Sequence, residues 1–284
     1  MRLSLIALFS AATCVFGQNS ASINSGSNGV SGSAHFPASM PRDARAMTGA
    51  PYSGEQVNEQ VQTLADGTHI TRKSAATKVY RDSAGRMRTE RPLAPGLALA
   101  GRLRDSPTII EITDPVAQVK YTLDPINKIA HRQQLAAARP NPIRTETRNG
   151  VLQGVAGGGG GGAGSVILSA GVPSERVRPE FATEELGTRT IEGVLAAGTR
   201  TTTTWPVDSQ GNDRPISVVG ETWTSVDLKV MILSTSNDPR SGENTQKLVN
   251  ISQAEPDASL FQPPPEYSVV DESGAFDIKW GSQQ

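Results

Sequence analysis

A turn phrase in which aspartate opens and glycine closes recurs along this chain. It stands at Asp82-Ser83-Ala84-Gly85 and Asp208-Ser209-Gln210-Gly211, with a longer form at Asp238-Pro239-Arg240-Ser241-Gly242. Aspartate accepts backbone N–H groups just ahead of it, and glycine takes a positive φ without a Cβ clash. Together they make a type I turn followed by a left-handed residue, a common hairpin closure. Between the turns lie runs of Val, Ile, Thr and Arg, residues that suit a pleated, half-buried surface. Repeated hairpins mean antiparallel strands, so the scaffold is read as mainly β.

The start of the chain bears on compartment. Met1-Arg2 is followed by an apolar run at residues 3–16 and then Gly17-Gln18. A positive start, an apolar stretch too short to span a bilayer and small residues at its end describe a secretory signal peptide over residues 1–17. Val15 and Gly17 occupy the −3 and −1 positions of a cut before Gln18, the preferred site. The alternative is a lipoprotein signal with Cys14 lipidated. Thr13 and Ala11 stand where such signals carry a small residue and Leu, and apolar Val15-Phe16 follow, so lipidation is the less favoured reading. Cys14 is the only cysteine among 284 residues, so an exported mature chain relies on its core rather than on disulfides. No other stretch reaches transmembrane length. A net charge of −1 argues against a general polyanion binder and against nucleic acid. The half before residue 149 is net basic and the half after it net acidic, which is read as pairing within one sheet.

Residues 18–50 are rich in Ser, Gly, Asn and Ala and poor in apolar side chains, and are expected to form a disordered leader. The β domain is expected over residues 51–272. Strand signals fall at 55–64, 68–81, 86–91, 108–113, 118–123 and 128–134, then at 188–195, 199–205, 215–226, from 228 onwards, 245–251 and 267–270. The 118–123 run alternates most cleanly, with Val119, Tyr121 and Leu123 inward. Residues 137–180 read as a flexible loop, because the run Gly157 to Gly162 behaves as a coil. That run is no phosphate cradle, since no Gly-Lys-Ser/Thr follows it. Residues 273–284 read as a frayed tail. The fold expected is a single antiparallel meander of about ten strands, a curved sheet or half-barrel.

Over residues 221–271 the pattern Glu221-Thr222-Trp223, an apolar strand, an Asp/Pro/Gly loop, Leu248-Val249-Asn250-Ile251, Leu260-Phe261 and Pro264-Pro265-Glu266-Tyr267 resembles the closing strands of bacterial periplasmic proteins of the lipoprotein-carrier type. The resemblance covers about a fifth of the chain and implies a curved half-barrel with Phe261 and Tyr267 plugging one end. It also implies a lipid or other amphiphile as partner. The Ser/Gly-rich leader stands where such carriers open with a helix, and the Gly-rich insertion is foreign to them.

Chemistry-bearing residues are sparse. His35, His69 and His131 are far apart and lack the short ligand spacing of a zinc site, so no metal and no cofactor is expected. No Gly-x-Ser-x-Gly elbow occurs. Glu184-Glu185 and Asp271-Glu272 are neighbours on strands and so face opposite sides. The Asp208 loop lacks the ligand alternation of a calcium loop. The expected function is therefore non-catalytic: an exported β-sheet protein binding a hydrophobic or amphiphilic ligand, or acting as an envelope interaction module. Its candidate cavity lining is Val119, Tyr121, Leu123, Trp223, Val230 and Ile232, residues that could equally be packed core. A basic patch of Arg72, Arg86 and Arg88 on one hairpin is the candidate site for an anionic envelope surface, against the plainer reading of a solvated face. The alternative function is a secreted hydrolase whose carboxylates converge from separate strands.

Overall fold

The computed structural model describes residues 13–16, 19–26, 29–38, 47–92, 107–135 and 178–280. Its elements are strands β1 (Thr13–Phe16), β2 (Asn19–Gly26), β3 (Gly29–Phe36), β4 (Tyr52–Thr63), β5 (His69–Lys73), β6 (Thr77–Arg81), β7 (Met87–Pro92), β8 (Thr108–Asp114), β9 (Val119–Asp124) and β10 (Ile129–Gln134), then β11 (Glu180–Ile191), β12 (Val194–Trp205), β13 (Ile216–Ser225), β14 (Met231–Asp238), β15 (Gly242–Ser252), β16 (Ser268–Asp271) and β17 (Phe276–Trp280). One 3₁₀ turn, Ala258–Phe261, lies between β15 and β16.

The mainly β reading holds, with a richer topology than one meander. Thirteen strands form a curved, unclosed sheet in the order β11-β12-β13-β14-β15-β4-β6-β7-β8-β9-β10-β16, with β5 paired to β4. Two joins are non-local: β15 returns to pair with β4, and β16 lies parallel to β10. A second, four-stranded sheet runs β1-β2-β3-β17. The leader expected to be disordered thus supplies β2 and β3, and the expected tail supplies β17. The residues of β2 and β3 are mostly small or polar and β17 is short, so each is a weak signal alone. The pairing of β17 with β3 joins segments far apart in sequence. Residues 136–177, most of the expected Gly-rich loop, lie outside the described residues, and β11 already begins at Glu180.

The turns explain where strands stop. At Asp82 the side chain accepts Arg86 N–H at 2.8 Å, Gly85 N–H reaches Asp82 O at 3.1 Å, and Gly85 has φ +83°. Asp114 and Asp124 each accept the two amides that follow a proline, ending β8 and β9. At the 208–211 loop Asp208 itself has φ +63° and the bracing side chain is Asn212, whose amide donates to the carbonyls of Pro206 and Arg214. The strand expected at 188–195 is two strands, because Glu192 (φ +49°) and Gly193 (φ +78°) make a two-residue turn of type I′. The run expected as one strand at 68–81 breaks at residues 74–76, so β5 and β6 meet different stretches of β4.

Three apolar clusters result. Tyr52, Val79, Val194, Ala196, Trp223, Leu228, Ile232 and Leu248 pack where β4, β6 and β12–β15 meet. Arg81, 5% exposed, pins this cluster. It donates to Ala50 O at 2.9 Å and Leu228 O at 2.5 Å, and it stacks on Tyr52 at 4.7 Å. Burial pulls the Arg81 guanidinium below its ordinary value and pushes the Tyr52 hydroxyl up. The second cluster joins the two sheets: Ala34, Phe36, Ile278 and Trp280 against Ile109 of β8. In the third, Phe261 covers Ile112, Leu123 and Ala130 on β8–β10. Side chains alternate along β8–β10, so the small sheet and the 258–267 segment cover opposite faces of the same three strands.

Candidate functional site

On the face of β8–β10 under the 258–267 segment lies an open groove of about 460 Å³. Val119 and Tyr121 of β9 form its floor. Phe261, Gln262, Pro263, Pro264 and Pro265 form a wall, and Tyr267, Val269, Asp114 and Ala117 complete the lining. The floor exists because register places Val119 opposite Asp114 and Tyr121 opposite Ile112. The wall exists because three consecutive prolines cannot join a ladder, and Tyr267 N–H closes a turn on Pro264 O at 3.0 Å.

Side chains from the β6–β7 hairpin clasp that wall. Ser83 N–H and Oγ donate to Glu255 Oε1 at 3.0 and 2.9 Å. Arg88, 8% exposed, donates to Glu90 at 2.7 Å and to Leu260 O at 2.8 Å. Arg86 pairs with the buried carboxylate of Asp82 at 2.5 Å and lies over the Phe261 ring at 5.2 Å. At the start of the 3₁₀ turn Asp257 accepts Ser259 N–H at 2.8 Å, a hydrogen bond that holds its carboxyl below the usual range. At the far side Lys128 lies 5.0 Å from the Tyr267 ring, and Arg132 donates twice to Asp271.

Of the six residues expected to line one cavity, Val119 and Tyr121 do line this groove. Leu123, fully buried, is core beneath Phe261. Trp223 and Ile232 belong to a different cluster, and Val230 packs against it from the β13–β14 connection rather than from a strand. Val119 and Tyr121 thus share the groove, Leu123, Trp223 and Ile232 are buried core and Val230 is partly buried, because alternation identifies inward faces but not which inward faces meet. The basic patch is corrected too. Arg86 and Arg88 are consumed in the clasp, while Arg72 lies on β5, which pairs with β4 and not with β7. Phe261 and Tyr267 had a signal in the sequence, the aromatic residues bracketing the proline run. Nothing local announced that Arg86 and Arg88 would brace them.

The hydrolase alternative asks for converging acid–base groups. His131 Nδ1 meets Glu272 Oε1 at 2.7 Å, and its ring stacks on Phe276 at 4.2 Å. The pair lies on the face covered by the small sheet, away from the groove. His35 meets Asp277 at 2.8 Å and His69 meets Thr63 at 3.0 Å, each at the surface. Among the described residues no group of three or more His, Cys, Asp or Glu could hold a metal ion, and no helix is long and apolar enough to cross a membrane.

No protein-family model matches the chain, and no curated protein matches it. Solved structures do. An uncharacterized conserved protein from Thermus thermophilus matches at 8% identity and TM-score 0.37, over 81% of this chain and 94% of that one. Lipoprotein LppX of Mycobacterium tuberculosis matches at 11% identity and TM-score 0.27, over 75% and 92%. A LolA superfamily protein of Nitrosomonas europaea matches at 8% identity and TM-score 0.28, over 78% and 93%. At these scores the likeness is remote and carries nothing about ligand or activity.

Proposed function

We propose that the chain is an exported, non-catalytic binding protein whose site is the groove between β9 and the 258–267 segment. Its ligand is a hydrophobic or amphiphilic molecule with a flat or chain-like apolar body. The observation that carries this reading is the mixed lining: two tyrosines, a phenylalanine, three prolines and two valines, with Asp114 and Gln262 as polar side chains, around about 460 Å³, within the range of small-molecule sites. The clasp by Arg86, Arg88 and Ser83 supports it, because a held wall spares a ligand the entropy of ordering one. The amphiphile reading is preferred to the anionic-surface one because two of the three arginines proposed for an anion are already engaged. Export rests on the signal-like residues 1–17.

The test is titration of the protein, expressed with its N-terminal residues in a secreting host, with a fluorescent fatty-acid probe. Saturable binding is expected, and Tyr121→Ala or Tyr267→Ala should weaken it by about tenfold or more, equivalent to about 1.4 kcal/mol. Absence of binding, or variants that bind like the parent, would sink the proposal. The mass of the recovered chain checks export: cleavage before Gln18 is expected, which removes β1 from the end of the small sheet and leaves β2-β3-β17, and an uncleaved chain retained in the cell would overturn it.

A further inference from the structure

β11 ends the main sheet, and among the described residues nothing pairs with its outer side. All its residues except Leu186 and Ile191 are exposed. Natural edges are usually blunted by proline, lysine, shortness or a bulge. β11 contains neither proline nor lysine and is twelve residues long. A bulge between Glu185 and Gly187 interrupts it, and the stretch 180–185 before the bulge is about 20 Å long. That stretch carries Phe181, 76% exposed and the most exposed of the large hydrophobic residues described.

Charge selects what can pair there. Glu180, Glu184 and Glu185 fall within six residues. Of the three, only Glu184 has a cation partner among the described residues, Arg200 at 2.9 Å, which it shares with Glu221. Two copies pairing antiparallel over this stretch would set Glu180 against Glu185 or Glu184 of the other copy, and like charges directly opposite destabilise a sheet. The edge is thus closed to itself and open to a strand of opposite charge.

We propose that the outer edge of β11, at residues 180–185, is a strand-addition site for an extended basic peptide segment. The peptide supplies main-chain hydrogen bonds along the edge, cations opposite Glu180, Glu184 and Glu185, and β-branched residues beside Phe181 and Thr183. This is independent of the groove, which lies at the other end of the sheet order, near β9 and β16.

The experiment uses the whole protein and a labelled peptide with the core Lys-Arg-Val-Thr-Val-Arg, read by fluorescence anisotropy. Two further peptides carry N-methyl groups on alternate residues, one set on each edge of the extended chain. Saturable binding is expected for the parent peptide, with at least tenfold loss for one methylated set and little for the other. The double variant Glu180→Lys, Glu185→Lys touches no ion pair of the described fold and should also lose at least tenfold. Amide exchange over 180–185 should slow when peptide is added. Equal binding of both methylated peptides would mean mere adsorption by charge and would overturn the proposal. So would no binding at all, or amides already protected without peptide, which would mean that the chain or a second copy covers the edge.

Discussion

Trp223 lies flat across Gly198 of the neighbouring strand, and Arg189 lies over its ring at 3.8 Å. A Cβ at residue 198 would meet the indole carbons at 2.6 Å. Gly198→Ala is therefore expected to destabilise by about 1–3 kcal/mol through overpacking, although alanine suits a strand better than glycine. A urea titration reads this directly, with Gly220→Ala as the control, since a Cβ there finds ordinary room. A parent-like midpoint for the 198 variant would mean the ring moves aside freely. At this scale the sequence was legible where a residue acts on its own backbone. Asp82 and Gly85 form the turn their types demand, and Asp124 does the same before Pro125. Asp208 failed that reading because Asn212 reaches two carbonyls that Asp208, an acceptor only, could not satisfy. The role of Gly198 had no local signal, since the ring that needs the space is 25 residues away.

β16 is four residues long and exposed along its length, so its pairing with β10 depends on few contacts. The fork from Arg132 to Asp271 ties its end, and the hydrogen bonds from Arg132 hold the Asp271 carboxyl below its ordinary 3.8. A depressed carboxylate contributes stability that is complete above the unfolded value and is lost as pH falls through the folded one. The denaturant midpoint of the native protein should therefore decline below pH 3.8, and Asp271→Asn should show a smaller decline over that window while being slightly less stable above it. Parallel curves for the two proteins would show that the fork does not hold β16. Strand and turn positions were largely legible for β8–β10, where apolar alternation and Asp-Pro turns agree. They were less so for β5 and β6, whose break has no glycine or proline to mark it. They were least so for β2 and β3, made mostly of polar or small residues, and for the short β17.

The two sheets meet at Ile109, which is fully buried among Ala34, Phe36, Ile278 and Trp280, and at β10, where His131 stacks on Phe276 and Gln133 donates to Pro37 O and Gly274 O. Ile109→Ala and Ile278→Ala should each cost about 2–5 kcal/mol. Because the two side chains share a cluster, the double variant should depart from additivity by about 0.5 kcal/mol or more. Ile109→Ala combined with Ile232→Ala, whose side chain lies in a separate cluster, should be additive. Additivity in the first pair would show that the small sheet is held by something other than this contact. The groove sits on the far side of the same strands from that contact, so both depend on β8–β10 being covered on two faces. The sequence by itself determined the class of structure, most strand limits and the turns, because these follow from the preferences of residues and their immediate neighbours. Only the tertiary structure decided that β15 closes on β4, that terminal strands pair into a second sheet, and that Val119 and Tyr121 but not Trp223 and Ile232 share a groove. Those outcomes depend on which faces meet across long separations, and alternation along a strand carries no information about its partner.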